Sequence, residues 1–206
     1  MKLLIEVGSY DGGDSLAFHK KGYRVFTFEP KIDLYQQLVN KTKNLKDYHV
    51  INKAVCLENG KTLFHICNFG GASSILPFRS NEELEKTWTS QRTDIQYSGT
   101  SYEVETIRLD TFIEENNLQD TQIDYIHIDA QGVDLECLMS LGKYIKNVYE
   151  GVIETVMDKN KSIYQTQNLN YFENVEKFLT ENNLKITEIR SNDGTKCEYN
   201  VYFKRF

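Results

Sequence analysis

No apolar run in the chain approaches the roughly 18 residues that a membrane-spanning helix requires. The opening Met1-Lys2-Leu3-Leu4-Ile5 is interrupted by Glu6, too early for a secretory signal. A basic excess is also missing: 24 Lys and Arg stand against 30 Asp and Glu, a formal net charge of -6. Binding to nucleic acid through phosphate neutralisation needs clustered positive charge, so neither nucleic acid nor membrane is an expected partner. The four cysteines, Cys56, Cys67, Cys137 and Cys197, form no Cys-x-x-Cys pair. Their spacing suggests no zinc site and no disulfide framework, which fits a reducing cytoplasm. Repeats, linkers and low-complexity stretches are absent as well, and 206 residues suit one domain spanning 1–206.

What remains is alternation. Lys2 to Val7 and Tyr23 to Phe28 are apolar runs flanking a helical pattern from Ser15 to Lys21, which stops at Gly22. A second helix is expected from Lys31 to Lys43, with Leu34, Tyr35 and Leu38 on one face, and a third strand from Tyr48 to Val55. Two successive β-α-β units predict a parallel sheet with right-handed crossovers. Asn59-Gly60 is a hairpin turn signal followed by a strand from Thr62 to Asn68. Phe69 to Ser101 breaks the rhythm and reads as an insertion or lid, or as a surface excursion without a role. Glu103 to Leu109 then predicts a strand entering a short helix capped by Asp110, and Ile123 to Ile128 a buried strand. A helix over Val133 to Leu141, a strand over Val148 to Met157 and an amphipathic helix over Leu169 to Leu179 follow. Lys185 to Arg190, a turn at Asn192-Asp193-Gly194 and Glu198 to Phe206 predict a closing antiparallel hairpin.

The strand-to-helix turn Glu6-Val7-Gly8-Ser9-Tyr10-Asp11-Gly12-Gly13 has the character of a ligand loop, since free helix-start amides attract polar groups and glycine admits close approach. Its Gly-x-x-x-Gly spacing differs from the Gly-x-Gly-x-x-Gly of a dinucleotide site. Glu29 ends the second strand, near the offset at which nucleotide-binding folds place an acid for ribose hydroxyls; alternatively it caps the helix after Pro30. Glu6 lies among apolar residues and needs a partner, either loop amides or a ligand cation. Ligands of open parallel sheets bind beyond the carboxyl ends of strands, where Asp129 stands, with a helix-cap role as its alternative. Asp129, His127 two residues upstream on the same strand face, and Glu154 near the end of the next strand are the candidate catalytic groups.

Several segments together resemble the FkbM family of S-adenosylmethionine-dependent methyltransferases. They are Ile5-Glu6-Val7-Gly8, Phe28-Glu29-Pro30, Gly71-Ala72-Ser73-Ser74, Ile107-Arg108-Leu109-Asp110-Thr111-Phe112, and Ile123 through Asp129-Ala130-Gln131-Gly132. The resemblance implies a Rossmann-like class I methyltransferase fold, a mostly parallel seven-stranded sheet with an antiparallel C-terminal hairpin, and O-methylation of a glycan or small hydroxylated metabolite. It also implies cofactor-binding roles for Glu6, Gly8, Ser9, Tyr10 and Asp11 in the loop, for Glu29 and Pro30 at the ribose, and for Ala54 beside the adenine. Ser73, with Ser74, and Asp129 are further expected contacts, Asp129 at the junction of cofactor and acceptor. His127 stands where the family commonly has Lys, and Gln131 where Glu is frequent. Without the N-terminal helices of many relatives, closure over the cofactor is expected to depend on the 69–101 insertion or on a second subunit in a homo-oligomer. Magnesium is compatible with such chemistry, although no acidic cluster calls for it. A nicotinamide-dependent oxidoreductase and a non-catalytic Rossmann-like binding protein are the competing readings.

Overall fold

The computed structural model describes residues 1–80, 82–83, 95–158, 162–165, 169–192 and 197–206. The first half runs β1 (Lys2–Val7), α1 (Gly13–Lys20), β2 (Tyr23–Phe28), α2 (Ile32–Thr42), β3 (Tyr48–Ile51), β4 (Ala54–Val55), β5 (Gly60–Cys67) and β6 (Tyr97–Ile107). The second half runs α3 (Leu109–Glu115), β7 (Tyr125–Ile128), α4 (Asp134–Met139), β8 (Glu150–Val156), α5 (Phe172–Glu181), β9 (Leu184–Ser191) and β10 (Glu198–Arg205). Among the described residues the strands form a seven-stranded sheet, ordered β3-β2-β1-β7-β8-β10-β9, and a three-stranded sheet, ordered β4-β6-β5.

In the large sheet β3, β2, β1, β7 and β8 are parallel, whereas β10 runs antiparallel to both β8 and β9. This is the doubly wound sheet with a closing hairpin expected from the alternating pattern. β1 is central: strand order reverses there, with β2 on one side and β7 on the other, so the crevice at its carboxyl end is where such sheets bind ligands. Strands covered on both faces are continuously apolar, and Leu3, Leu4, Ile5, Ile126 and Ile128 are essentially inaccessible to water. The helices supply the other half of the core through narrow stripes. Val175 and Leu179 of α5 are buried, as are Leu135 and Leu138 of α4 and Leu38 of α2.

Three local expectations are corrected or refined. Tyr48 to Val55 is not one strand: the chain leaves the large sheet after Ile51, and Ala54–Val55 pairs with β6 in the small sheet. Asn52 marks the break, its side-chain amide donating to the carbonyls of Glu29 and Pro30 instead of continuing the ladder. Asp110 acts from inside α3, as its second residue: its carboxylate accepts the first-turn Thr111 amide at 2.7 Å and the Arg108 guanidinium at 2.6 Å. Ile123 only bridges Val148, and β7 begins at Tyr125. Within the expected insertion, the described part docks closely, through a short helical turn at Gly70–Ala72, a bridge between His65 and Ser74, and another between Phe78 and Tyr164. Residues 81 and 84–94 of that insertion, and Asp193 and Gly194 of the expected hairpin turn, lie outside the described residues.

No helix among the described residues is long and apolar enough to cross a membrane. The tightest strand contact is at Gly151 of β8, where an added Cβ would lie 2.5 Å from both the Cγ2 and the carbonyl oxygen of Ile126. Such overpacking costs about 1–3 kcal/mol. Gly151→Ala is therefore expected to lower the thermal unfolding midpoint by several degrees, measured by circular dichroism. An unchanged midpoint would mean that β7 and β8 separate freely enough to admit a methyl group.

Candidate active site

The site forms where the loop after β1 meets the loop after β7. Gly8 adopts φ +80, and a Cβ there would fall 1.9 Å from the carbonyl oxygen of Asp129. Only glycine allows that approach. Backbone hydrogen bonds fix the junction: the Gly8 amide donates to the Phe28 carbonyl at 3.0 Å, and the Asp129 amide to the Val7 carbonyl at 2.9 Å. The three strand ends at β2, β1 and β7 are thereby locked in register.

A cleft of about 590 Å³, counting its open mouth, lies over this junction. Its apolar wall includes Phe28, Val55, Phe64, Ile75 and Val133, and its polar groups include Glu29, Lys53, Ser73, Asp129 and Gln131. Volume and composition are those of a small-molecule site. Of the residues expected from sequence, the structure brings Gly8, Tyr10, Glu29, Pro30, Ala54, Ser73 and Asp129 to the cleft wall. Glu6, Ser9 and Asp11 lie behind or beside it. The Glu6 carboxylate accepts the Ser15 amide at 3.1 Å and the Thr27 hydroxyl, so loop and strand donors satisfy it. Asp11 is exposed and accepts the Gly13 amide at 2.9 Å, at the start of α1. The Ser9 hydroxyl is buried without a hydrogen-bond partner among the described residues.

Glu29 is 4% exposed, and its two oxygens each take one backbone amide, Tyr10 and Lys31, both at 2.9 Å. The Lys31 bond closes the entry to α2, so the cap-like role is real and coexists with placement at the cleft. Tyr10 is held in the left-handed region at φ 48, with its ring exposed beside Phe69 at the cleft mouth. Burial pushes the Glu29 carboxyl up to about 7, although the Lys31 and Tyr10 amides pull it the other way.

Asp129 does not cap α4. The loop amides go to Asp134, whose carboxylate accepts from Ala130 at 2.6 Å and Gly132 at 2.9 Å. Asp129 instead accepts from the Gln131 side-chain amide at 2.5 Å, and the same nitrogen reaches Glu154 at 3.2 Å. Burial raises Asp129 above the ordinary carboxylate range against the pull of Gln131 and His127. Burial raises Glu154 much further, reinforced by the charges of Asp129, Glu198 and Asp134. Glu154 faces a smaller neighbouring cavity that it shares with Ser162, Asn170 and Glu198. His127 points elsewhere: its Nδ1 lies 3.8 Å from Glu6 and 3.9 Å from Asp14. Burial alone would lower the imidazole, but the Glu6 hydrogen bond and the charges of Glu6, Asp129 and Asp14 leave it raised.

Sequence reasoning missed three groups. Gln131 was noticed only as a difference from a family pattern. Lys53, at the cleft wall and 3.3 Å from Glu105, carries no motif signal. Tyr164, whose hydroxyl lies 2.9 Å from both the Ala72 carbonyl and Gln131 Oε1, comes from a segment with no periodicity. Among the described residues no group of three or more His, Cys, Asp and Glu is arranged to hold a metal.

Strand order, the β1 loop and the carboxylates at the tips of β2 and β7 define the class: a Rossmann-like class I methyltransferase. A family profile described as Methyltransferase FkbM domain matches residues 6–186, and the chain belongs to that family of S-adenosylmethionine-dependent methyltransferases. No curated protein sequence matches it. Among solved structures it is similar to Aeropyrum pernix fibrillarin with natively bound S-adenosyl-L-methionine, at 9% identity over 98% of this chain and 66% of that one, with a TM-score of 0.49. An rRNA methylase from Streptococcus thermophilus aligns at 9% identity over 100% of this chain and 87% of that one, with a TM-score of 0.49. A ribosomal protein L11 methylase from Lactobacillus delbrueckii subsp. bulgaricus aligns at 10% identity over 98% and 69%, also at 0.49.

The raised Glu29 has a measurable consequence. An unfolded glutamate loses its proton near 4.5, whereas the folded one holds it to about 7. Its contribution to stability is therefore complete below 4.5, declines as pH rises through that window, and is fully lost above 7, a change on the order of 3 kcal/mol. Glu29→Gln removes the titration. Urea unfolding should show the variant gaining on the native protein between pH 5 and pH 8; a constant difference would mean that Glu29 titrates as an ordinary carboxylate.

Proposed function

We propose that the protein transfers a methyl group from S-adenosylmethionine to a hydroxyl oxygen of a glycan or small hydroxylated metabolite. The observation that carries this reading is the half-buried Asp129 carboxylate at the wall of the same cleft as Gly8 and Glu29. The residues present fit the cofactor. Glu29 offers two carboxylate oxygens to a ribose diol, and Phe28, Ala54, Val55 and Phe64 offer an apolar slot for an adenine. The Ser9 hydroxyl, without a partner among the described residues, and the Gly8 turn lie where the β1 loop would hold its amino-acid portion. When bound, S-adenosylmethionine supplies a sulfonium methyl as the electrophile.

The protein's own contribution is placement and proton removal. Holding two reactants in a dry cleft accounts for much of the acceleration of a displacement of this kind. Asp129 accepts the proton that the acceptor hydroxyl gives up as its oxygen takes the methyl, a contribution worth roughly a hundred- to ten-thousandfold. A hydroxyl acceptor suits this base because its neighbours are carboxyl and amide groups that hydrogen-bond to O–H. His127 is turned towards Glu6 and Asp14 and does not line the cleft. An excess of negative charge favours a small or glycan acceptor over nucleic acid.

The direct test is mass spectrometry of a metabolite or glycan extract incubated with the protein and methyl-labelled S-adenosylmethionine. One labelled methyl on an oxygen is the expected product. If calorimetry detects binding of neither the cofactor nor its demethylated product, the reading fails.

Cofactor affinity should also depend on pH. Ribose hydroxyls donate to the ionised form of Glu29, whose free carboxyl titrates at about 7. Proton competition then makes S-adenosylmethionine bind about tenfold more weakly at pH 6 than at pH 8. Glu29→Gln should bind weakly at both values and lose the slope.

A further inference from the structure

We propose that Gln131 is a positioning residue whose side-chain amide clamps Asp129 and Glu154 into one carboxyl pair sharing a single proton, with Asp129 as its anionic member at the cleft. The inference rests on the reading of Asp129 as the base for methyl transfer and assigns what governs that base.

Both side-chain polar atoms of Gln131 and its backbone carbonyl are engaged. Its Nε2 donates to Asp129 at 2.5 Å and to Glu154 at 3.2 Å. Its Oε1 lies 2.9 Å from the Tyr164 hydroxyl, and its backbone carbonyl accepts from Ser74 Oγ at 2.6 Å. The carboxyls call for the N–H side of the amide, while the single Tyr164 proton is divided between the Ala72 carbonyl and Gln131 Oε1. The backbone is held at φ 56, followed by Gly132 at φ 100, where a Cβ would meet the Tyr164 ring at 2.5 Å. A non-glycine residue in this conformation costs of order 1–3 kcal/mol and persists only where its surroundings over-determine it. Here they do so from three separate segments.

Asp129 and Glu154 are drawn together by this common donor, Gln131 Nε2, which contacts one oxygen of each. Two carboxyl groups in such contact cannot both be ionised, so one proton sits between them. The surroundings decide which group keeps it. Asp129 accepts from the Gln131 amide and feels the charge of His127 of β7, with Asp14 of α1 as an opposing charge. Glu154 faces Asp129, Glu198 of β10 and Asp134 of α4, all acidic, while Asn192 donates to its other oxygen. The proton therefore resides on Glu154, and Asp129 is left as the acceptor. A glutamate in place of Gln131 would put a third carboxyl against the pair and remove its only shared N–H donor among the described residues.

The test needs no acceptor. Side-chain carboxyl signals of the ¹³C-labelled protein are followed by NMR across pH in the native protein, Gln131→Met, Gln131→Glu and Tyr164→Phe. A hydrogen bond to a charged group is worth about 1.5–3 kcal/mol, so Gln131→Met should raise the proton affinity of Asp129 about ten- to hundredfold. Gln131→Glu should shift it in the same direction, and Tyr164→Phe, which only frees the amide to rotate, by less. Should Gln131→Met fail to fold by circular dichroism, Tyr164→Phe decides the matter. An Asp129 midpoint unmoved in the folded variants overturns the proposal and leaves Gln131 a structural residue. Calorimetry with S-adenosylmethionine on the same samples separates the two readings: a native protein that does not bind it refutes the donor assignment, while the carboxyl titrations still judge the pair.

Discussion

The contact on which the rest of the site depends is the approach of the Gly8 backbone to the carbonyl of Asp129. A missing side chain lets two loops that leave neighbouring strands in the same direction touch at their tips. Glu29 on one flank and Asp129 on the other then open into one cleft, although they are separated by most of the first half of the chain. Glu29 takes the amides of Tyr10 and Lys31 there, and Asp129 the Gln131 side-chain amide.

The site follows a consistent division of labour. Glu6 and Asp134, which do not line the cleft, accept from backbone, hydroxyl and Asn170 side-chain donors and hold loops in place. Glu29 and Asp129 line the cleft itself, within reach of whatever binds there. This distinction separates structural from chemical acids more sharply than burial does, since Glu6, Glu29, Asp134 and Glu154 are all at most 4% exposed.

The large sheet was legible in sequence because its signals are local. Continuous apolar runs mark β1, β2 and β7, the stripe of Val175 and Leu179 marks α5, and Gly22 stops α1. The small sheet was less legible: its β4 is two residues long and pairs with a strand some fifty positions away, so it was absorbed into the preceding strand. Glu29 and Asp129 could be found because strand ends are predictable places for ligand groups. Lys53 and Tyr164 could not, since their positions depend on how irregular segments lie against the sheet. Gln131 stood in plain view, but its function comes from partners at 74, 129, 154 and 164, a set no periodicity connects.

The position of β1 between β2 and β7 also bears on how the protein comes into being. As the chain emerges from the ribosome, β1, β2 and β3 can pair early, but the other edge of β1 stays open until Tyr125–Ile128 appears, more than a hundred residues later. Ser74, Gln131 and Tyr164 then join three distant segments at the tip, and β10 must still cover β8. The cleft is thus among the last features to be completed during synthesis, and a nascent chain caught before that point presents an unpaired apolar strand edge suited to chaperone capture.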